Sequence, residues 1–181
     1  NISQHLSPTS AQHVKNELSS KLDQKNDMIL DSGNTEIGLE STVIDFTKTI
    51  PKVLRPGGLN ISLINKIVKT SYNGSNINEK KPESPGLFKK HYSPNASLRL
   101  NADYPLKGEA WLGFGEDPKN LNNFVKMNLS ENKNLEEAAK NLFSMLRYLD
   151  KKKVKKIAVR KIQNKGIGIA INDRLNRGAA N

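Results

Sequence analysis

The strongest periodic pattern in the chain lies between residues 134 and 152, where apolar residues recur at helical spacing. Leu135, Ala138, Leu142, Met145, Leu146 and Leu149 form one stripe. This stripe predicts an amphipathic helix. Another helix is predicted after "SPTS", with Ser7 as N-cap and Pro8 at the first helical position. Two further helices are predicted at "ISLINKIVK" and "GIAINDRLNRGAA".

Short apolar runs bounded by turn residues predict the strands. They are "DMILD", "STVIDF", "PKVLR", "SLRL", "EAWLGF" and "KIAVRKI". Because strands alternate with helices, the fold class is predicted to be α/β, with a largely parallel sheet. From Thr70 to Glu83 the sequence is polar and aperiodic, which is typical of a linker.

Composition narrows the class of protein. The 181 residues are 35% hydrophobic and 26% charged, and no apolar run reaches the roughly 18 residues that a membrane span needs. The chain has no cysteine, which excludes disulfides and thiolate metal sites, and its three histidines lack metal-ligand spacing. No basic and apolar export segment opens the sequence, so a cytoplasmic location and no membrane partner are expected. Because the first residue is Asn1 rather than methionine, we expect a fragment.

The net charge of +11 is concentrated in the C-terminal half, where residues 97–181 hold 17 Lys and Arg against 9 Asp and Glu. Much of the excess is "KKKVKK", residues 151–156. This run fits either a phosphate-facing patch for RNA or a solvated turn between a helix and a strand. The absence of interleaved aromatic residues favours the solvated turn.

Polar residues inside apolar runs are candidates for a site. Glu40, Ser41 and Thr42 interrupt a strand-like run, and they fit either a binding site or an edge strand with one wet face. Arg55 ends a predicted strand just before a Pro-Gly turn. Its planar guanidinium suits phosphate or carboxylate oxygens, and the alternative is a surface ion pair.

The segment "GIGIAIN" sits between a predicted strand and a predicted helix, which is the setting of a dinucleotide-binding loop. Ile171 occupies the place of the third glycine, so the fingerprint fails. Tight packing of strand against helix is the better explanation of Gly166 and Gly168.

Five segments together carry a resemblance. "NISQHLSPT", "GLESTVIDF", "LRPGG", "SPGLFKKHYSP" and "GIAINDRLNR" resemble, in order and spacing, the two-domain L-threonylcarbamoyladenylate synthase family. The resemblance implies the second half of a YrdC-like α/β domain over residues 1–69. A linker over residues 70–96 and a small Rossmann-like α/β domain over residues 97–181 would follow.

The implied reaction converts L-threonine, bicarbonate and ATP into threonylcarbamoyl-adenylate and pyrophosphate. By this resemblance ATP would be a substrate accompanied by Mg²⁺, and the product would pass to a complex that transfers the threonylcarbamoyl group to tRNA. Carried over by motif, Asn1, Thr9, Arg55 and Tyr92 would bind ATP, and Arg55 would also be catalytic. Ser41 would bind L-threonine. No residue is implied as a metal ligand.

A different class of function stays open beside this enzyme. An RNA-binding or regulatory module on the same fold, without turnover, would use the basic C-terminal domain for a weak RNA contact. We favour the enzyme and expect residues 1–181 alone to be inactive, because the family's Lys-x-Arg element would lie upstream of Asn1.

The segment from Ser84 to Pro94 is expected to be a lid over the nucleotide site rather than a tether. Pro85 and Pro94 stiffen its ends, and Phe88, His91 and Tyr92 offer aromatic surface without a helical or strand period that would bury it in a core. A nucleotide in the neighbouring cleft would supply the missing partner and exclude water from a labile adenylate. The alternative is simple docking of the segment onto one domain.

The lid predicts protection from protease. In the intact enzyme, saturating ATP and L-threonine should slow tryptic cleavage after Lys89 and Lys90, because a closed segment cannot enter the protease site. The measurement is the cleavage rate with and without the two ligands. Equal rates would contradict the lid.

Overall fold

A computed structural model describes residues 5–23, 25–72, 74 and 91–180. Its larger sheet has four strands, all parallel, in the order β3, β6, β4, β5. The strands are β3 (Ser97–Ala102), β4 (Glu109–Gly113), β5 (Lys126–Asn128) and β6 (Lys156–Arg160). The predicted α/β class with a parallel sheet is therefore confirmed.

Helices α3 (Leu135–Lys151) and α4 (Gly168–Ala179) pack against this sheet. Leu112 and Val159 of the sheet share the main core with Leu142 and Ile171 of the helices. On the opposite face of the sheet, Trp111, Ala158, Ala102 and Leu121 form a second, smaller cluster. The alternation follows from strand geometry, since successive side chains point to opposite faces.

The N-terminal part contributes α1 (Ala11–Leu18), the antiparallel strands β1 (Val43–Asp45) and β2 (Lys52–Arg55), and the short helix α2 (Ile61–Ile64). The strands are short. On the edge of β2 that does not face β1, the Val53 amide donates to the Ser71 carbonyl at 2.9 Å. This arrangement brings residue 41 beside the end of β2.

Three local predictions need correction. Helix α1 is capped by Ser10, whose hydroxyl accepts from the His13 amide, because the Ser7 hydroxyl donates to Glu40 instead. "DMILD" is not a strand, and Met28 and Leu30 are 79% and 84% exposed, since no neighbouring strand in the described part pairs with them. Strand β5 was not predicted, because "KMN" is too short to show an alternating pattern.

The two parts of the chain meet on α3. Arg147 donates to the carbonyls of Leu6 and Ser7 and pairs with Glu17 at 2.5 Å. The backbone of Gly38 lies directly on the same helix, where a Cβ atom would come within 2.6 Å of the Ala139 carbonyl oxygen. No helix within the described ranges is long and apolar enough to cross a membrane.

Gly38→Ala should therefore loosen this contact. Gly38 has φ +76°, so alanine costs about 1 to 2 kcal/mol for the left-handed backbone. Overlap with the α3 backbone adds about 1 to 3 kcal/mol. Gly33 is the matched control, because it has φ +89° and nothing lies within 4 Å of the place that a Cβ atom would take there. Denaturant unfolding should show a clearly larger loss for Gly38→Ala than for Gly33→Ala, and equal losses would contradict the contact.

Candidate functional site

Ser41 and Arg55 are brought together by the β1–β2 pair. Arg55 ends β2 and is 9% exposed. Its Nη2 donates to the Ser41 carbonyl at 3.0 Å and to the Ser41 hydroxyl at 3.3 Å, and its Nε donates to the same carbonyl at 3.3 Å. The guanidinium is therefore buried and oriented rather than displayed on the surface, which argues against the surface ion pair.

The Pro-Gly-Gly turn after Arg55 interlocks with the segment that contains Ser41. The Gly58 amide donates to the Glu40 carbonyl at 2.8 Å, and the Thr42 hydroxyl donates to the Leu59 carbonyl at 2.6 Å. A side chain at Gly57 would overlap the backbone of Glu40 and Ser41. Glycine is required there because two backbones approach each other this closely.

The Glu40 carboxylate joins three distant segments. One oxygen accepts from the Ser7 hydroxyl, and the other accepts from Arg174 Nε at 2.8 Å. Burial by itself would raise the pKa of Glu40, but the Arg174 charge and the two hydrogen bonds outweigh it, and the pKa lies below its ordinary value. Glu40 is thus held as a carboxylate, and this member of the polar run finds its partners within the protein.

Arg174 is a buried charge, with a side chain only 1% exposed. Its Nη1 donates to Asp173 at 2.5 Å, and Asp173 also accepts from Arg177 Nε at 3.1 Å. The guanidinium carbon lies 4.8 Å from the centre of the Tyr92 ring, a cation–π contact. Two arginines and two carboxylates thus form one cluster between α4 and residue 40.

Tyr92 lies in the core, which corrects the expectation that its ring has no core to enter. It is 2% exposed, and its ring lies 5.7 Å from Phe143 and 4.0 Å from His91. Burial raises the pKa of the Tyr92 hydroxyl. A side chain larger than hydrogen at Gly178 would press on the Tyr92 carbonyl at 3.0 Å. The contact of Tyr92 with ATP stays a prediction, and residues 84–90 of the predicted lid lie outside the described residues.

Thr9 is also buried, at 6% exposure. Its amide donates to His13 Nδ1 at 3.1 Å, and its carbonyl accepts from the Thr35 amide at 3.0 Å. Burial lowers the pKa of His13, and nearby Arg147 lowers it further, which favours the neutral ring that can accept this bond. Asn1, another predicted nucleotide contact, lies outside the described residues.

Sequence reasoning missed Asp173, Arg174 and Arg177. The signal was present, because Arg174 falls in the apolar stripe of α4 between Ile171 and Gly178, where a helix turns its face to the core. A charge at a core position predicts a buried ion pair. Its partner could not be read from the sequence, since Glu40 lies 134 residues away.

At Gly168, a side chain would overlap the Gln163 carbonyl, so the close packing there is between the start of α4 and the loop after β6 rather than the strand itself. A separate cleft of about 600 Å³ lies beside this region, at the carboxyl ends of β4 and β6. None of the predicted site residues lines that cleft. Within the described ranges, no group of three His, Cys, Asp or Glu residues could hold a metal ion.

Comparison with known proteins decides the family. The family model of the threonylcarbamoyl-AMP synthase C-terminal domain matches residues 47–180, and a family model described as telomere recombination matches residues 1–57. The chain belongs to the threonylcarbamoyl-AMP synthase family. Relatives with that name come from Pyrococcus abyssi (32% identical), Bacillus subtilis (31%) and Schizosaccharomyces pombe (29%), each aligned over 99% of this chain.

Solved structures of this synthase family agree with the sequence matches. Sua5 from P. abyssi in complex with L-threonine superposes with a TM-score of 0.83 at 31% identity, over 99% of this chain and 56% of that one. A variant of the same protein, with an adjacent histidine and tyrosine both replaced by alanine, gives a TM-score of 0.77 at 30% identity, over 99% of this chain and 55% of that one. The chain also spans 56%, 55% and 50% of the three curated relatives, about half of their length.

The two part-buried histidines predict a pH dependence. Burial lowers the pKa of His13 and of His91, so the unfolded chain takes up protons near pH 6.5 that the folded chain does not bind. The free energy of unfolding should fall as the pH drops from about 7.5 to about 5.5, by at most about 1.4 kcal/mol per pH unit for each histidine. Denaturant titrations of the double variant His13→Gln/His91→Gln should show a smaller slope, and an unchanged slope would contradict this assignment.

Proposed function

We propose that this chain is part of an enzyme that makes threonylcarbamoyl-adenylate from L-threonine, bicarbonate and ATP, for the threonylcarbamoyladenosine modification of tRNA. The observation that supports it is the meeting of all five motifs around Glu40. Ser7, Glu40 and Arg174 touch directly, the turn after Arg55 bonds the Glu40 backbone, and Tyr92 lies under Arg174. These segments are far apart in sequence and converge around Glu40 in the structure, which supports a common site built from all five.

In this proposal the carbamate oxygen of carboxylated threonine attacks the α-phosphorus of ATP, and pyrophosphate leaves. Arg55 stabilises the charge that develops on the phosphate oxygens. Its plane is fixed in advance by the Ser41 carbonyl, so little reorganisation is needed when the phosphates arrive. The Ser41 hydroxyl, 3.3 Å from Arg55 Nη2, binds threonine next to the phosphates. Mg²⁺ enters with ATP.

The remaining roles follow the same proposal. Asn1 and Thr9 contact the nucleotide from the loop before α1, and Tyr92 contacts it from the linker. Residues 1–69 belong to the catalytic domain, residues 70–96 to the linker, and residues 97–181 to the Rossmann-like domain. The finished adenylate passes to a tRNA threonylcarbamoyl-transfer complex.

An RNA-binding module is the competing function, and one observation favours it. Lys151, Lys152, Lys153, Lys155 and Lys156 are all exposed at the turn between α3 and β6. Lys152 Nζ lies 5.1 Å from the centre of the Tyr148 ring, so an aromatic side chain does accompany the lysines. A module of this kind would bind RNA with steep salt dependence and show no response to threonine.

The deciding experiment uses a full-length protein that carries this sequence. Pyrophosphate release from ATP is measured with both L-threonine and bicarbonate, and with either one omitted. Release that requires both supports the synthase. Absence of release together with tight, salt-sensitive tRNA binding would support the RNA module instead.

Arg55→Ala in that protein should reduce kcat/KM for ATP by a factor equivalent to about 2 to 4 kcal/mol, the scale of losing a charged donor at a transferring phosphate. Arg55→Lys should recover only part, because an ammonium cannot hold the Ser41 carbonyl and a phosphate in one plane. Steady-state kinetics at limiting ATP make the measurement. Unchanged kinetics for Arg55→Ala would remove the residue from the site.

A further inference from the structure

We propose that Arg174 of the C-terminal domain is a positioning residue for the Ser41–Arg55 site and that it acts through Glu40. The inference rests on the proposed function and extends it. By this proposal the C-terminal domain holds the site residues in position, although none of that domain's residues is predicted to contact a substrate.

The first step is that Arg174 fixes where the Glu40 carboxylate lies. Arg174 is held from its own helix by Asp173 at 2.5 Å and lies 4.8 Å from the centre of the Tyr92 ring, so its guanidinium has a set position. Asp173 also bonds the buried Arg177, so the two arginines need a second carboxylate, because an unpaired charge away from water is strongly unfavourable. Glu40 meets this need with a bond of 2.8 Å from Nε.

The second step is that the Glu40 backbone fixes the site. Its carbonyl accepts from the Gly58 amide, and the next residue is Ser41, which holds the Arg55 guanidinium through its carbonyl. Because Gly57 has no side chain, its backbone packs directly against the backbone of Glu40 and Ser41. A displacement of Glu40 therefore moves Ser41 and Arg55 together.

The third step is that the same cluster reaches the segment before β3. The His91 amide donates to the Arg177 carbonyl at 3.4 Å, and the Tyr92 backbone rests on Gly178 of α4. Helix α4 thus contacts the site through Arg174. It contacts His91 and Tyr92 through Arg177 and Gly178. One rigid helix sets the position of both, which a surface ion pair could not do.

The test compares Arg174→Gln, Arg174→Lys and Glu40→Gln in a full-length protein carrying this sequence. The control is Arg99→Gln, which breaks an ion pair of 2.5 Å with Glu109 in the same domain, at a side chain that is 40% exposed. All variants are assayed below their unfolding transitions, with kcat and KM measured separately for ATP and L-threonine.

Arg174→Gln and Glu40→Gln should each lower kcat/KM by about 10- to 100-fold, the range for misplacing a catalytic group by about an ångström. The double variant should lose no more than either single one, since both break the same link. Arg174→Lys should recover part of the loss, and Arg99→Gln should stay within about twofold of the parent. Equal kinetics for Arg174→Gln and Arg99→Gln, or additive losses in the double variant, would overturn the proposal.

Hydrogen exchange gives a second readout that needs no turnover. In the 1–181 chain, Arg174→Lys and Glu40→Gln should speed amide exchange across residues 38–58, whereas Arg99→Gln should not. If the parent enzyme makes no adenylate but this exchange still responds, the proposed function fails and the coupling stands. If exchange over residues 38–58 is the same in all variants, the coupling fails even when the enzyme is active. The lysine variant keeps the charge, so this readout remains available if Arg174→Gln does not fold.

Discussion

The buried ion pair between Arg174 and Glu40 joins the two parts of this chain, together with the contacts of Arg147 and Gly38 on α3. An arginine only 1% exposed has lost its water, and it is tolerable in the interior because carboxylates reach it from two directions. Asp173 comes from the same helix, whereas Glu40 comes from the other part of the chain. Because an unpaired buried charge is strongly unfavourable, the demand of Arg174 for a second carboxylate constrains where the segment with Glu40 lies against α4.

Close backbone approaches support this pair. Gly57 lets the turn after Arg55 rest on Glu40 and Ser41, Gly38 lets a loop rest on α3, and Gly178 lets α4 reach the Tyr92 carbonyl. Each glycine stands where a Cβ atom would meet another backbone at 3.0 Å or less. The glycines in these motifs are thus explained by neighbours that are distant in sequence rather than by local turn geometry alone.

The location of Tyr92 shows that a residue of the predicted lid can also belong to the core. In the sequence, Tyr92 lies between two prolines and has no periodic apolar neighbours, which is typical of an exposed segment that becomes buried when a ligand binds. In the structure its ring has Phe143 on one side and the Arg174 guanidinium on another, so it contributes to stability as well as to any contact with a nucleotide. The positive φ of Tyr92, 58°, also indicates that the residue is held by its surroundings, because such a backbone persists only where packing stabilises it.

The sequence by itself determined the elements whose signal is local. The stripe of α3 predicted a helix within one residue of its observed bounds, and five apolar runs predicted strands of the two sheets, because periodicity and turn residues act over a few positions. The motifs also pointed to Ser41 and Arg55. Tertiary structure alone decided that "DMILD" pairs with no strand in the described part of the chain, that Ser7 bonds Glu40 instead of capping α1, and that Arg174 finds its carboxylate 134 residues away. Those outcomes depend on which residues, distant in sequence, come into contact in the folded chain. A pattern over a few neighbouring positions carries no information on such contacts.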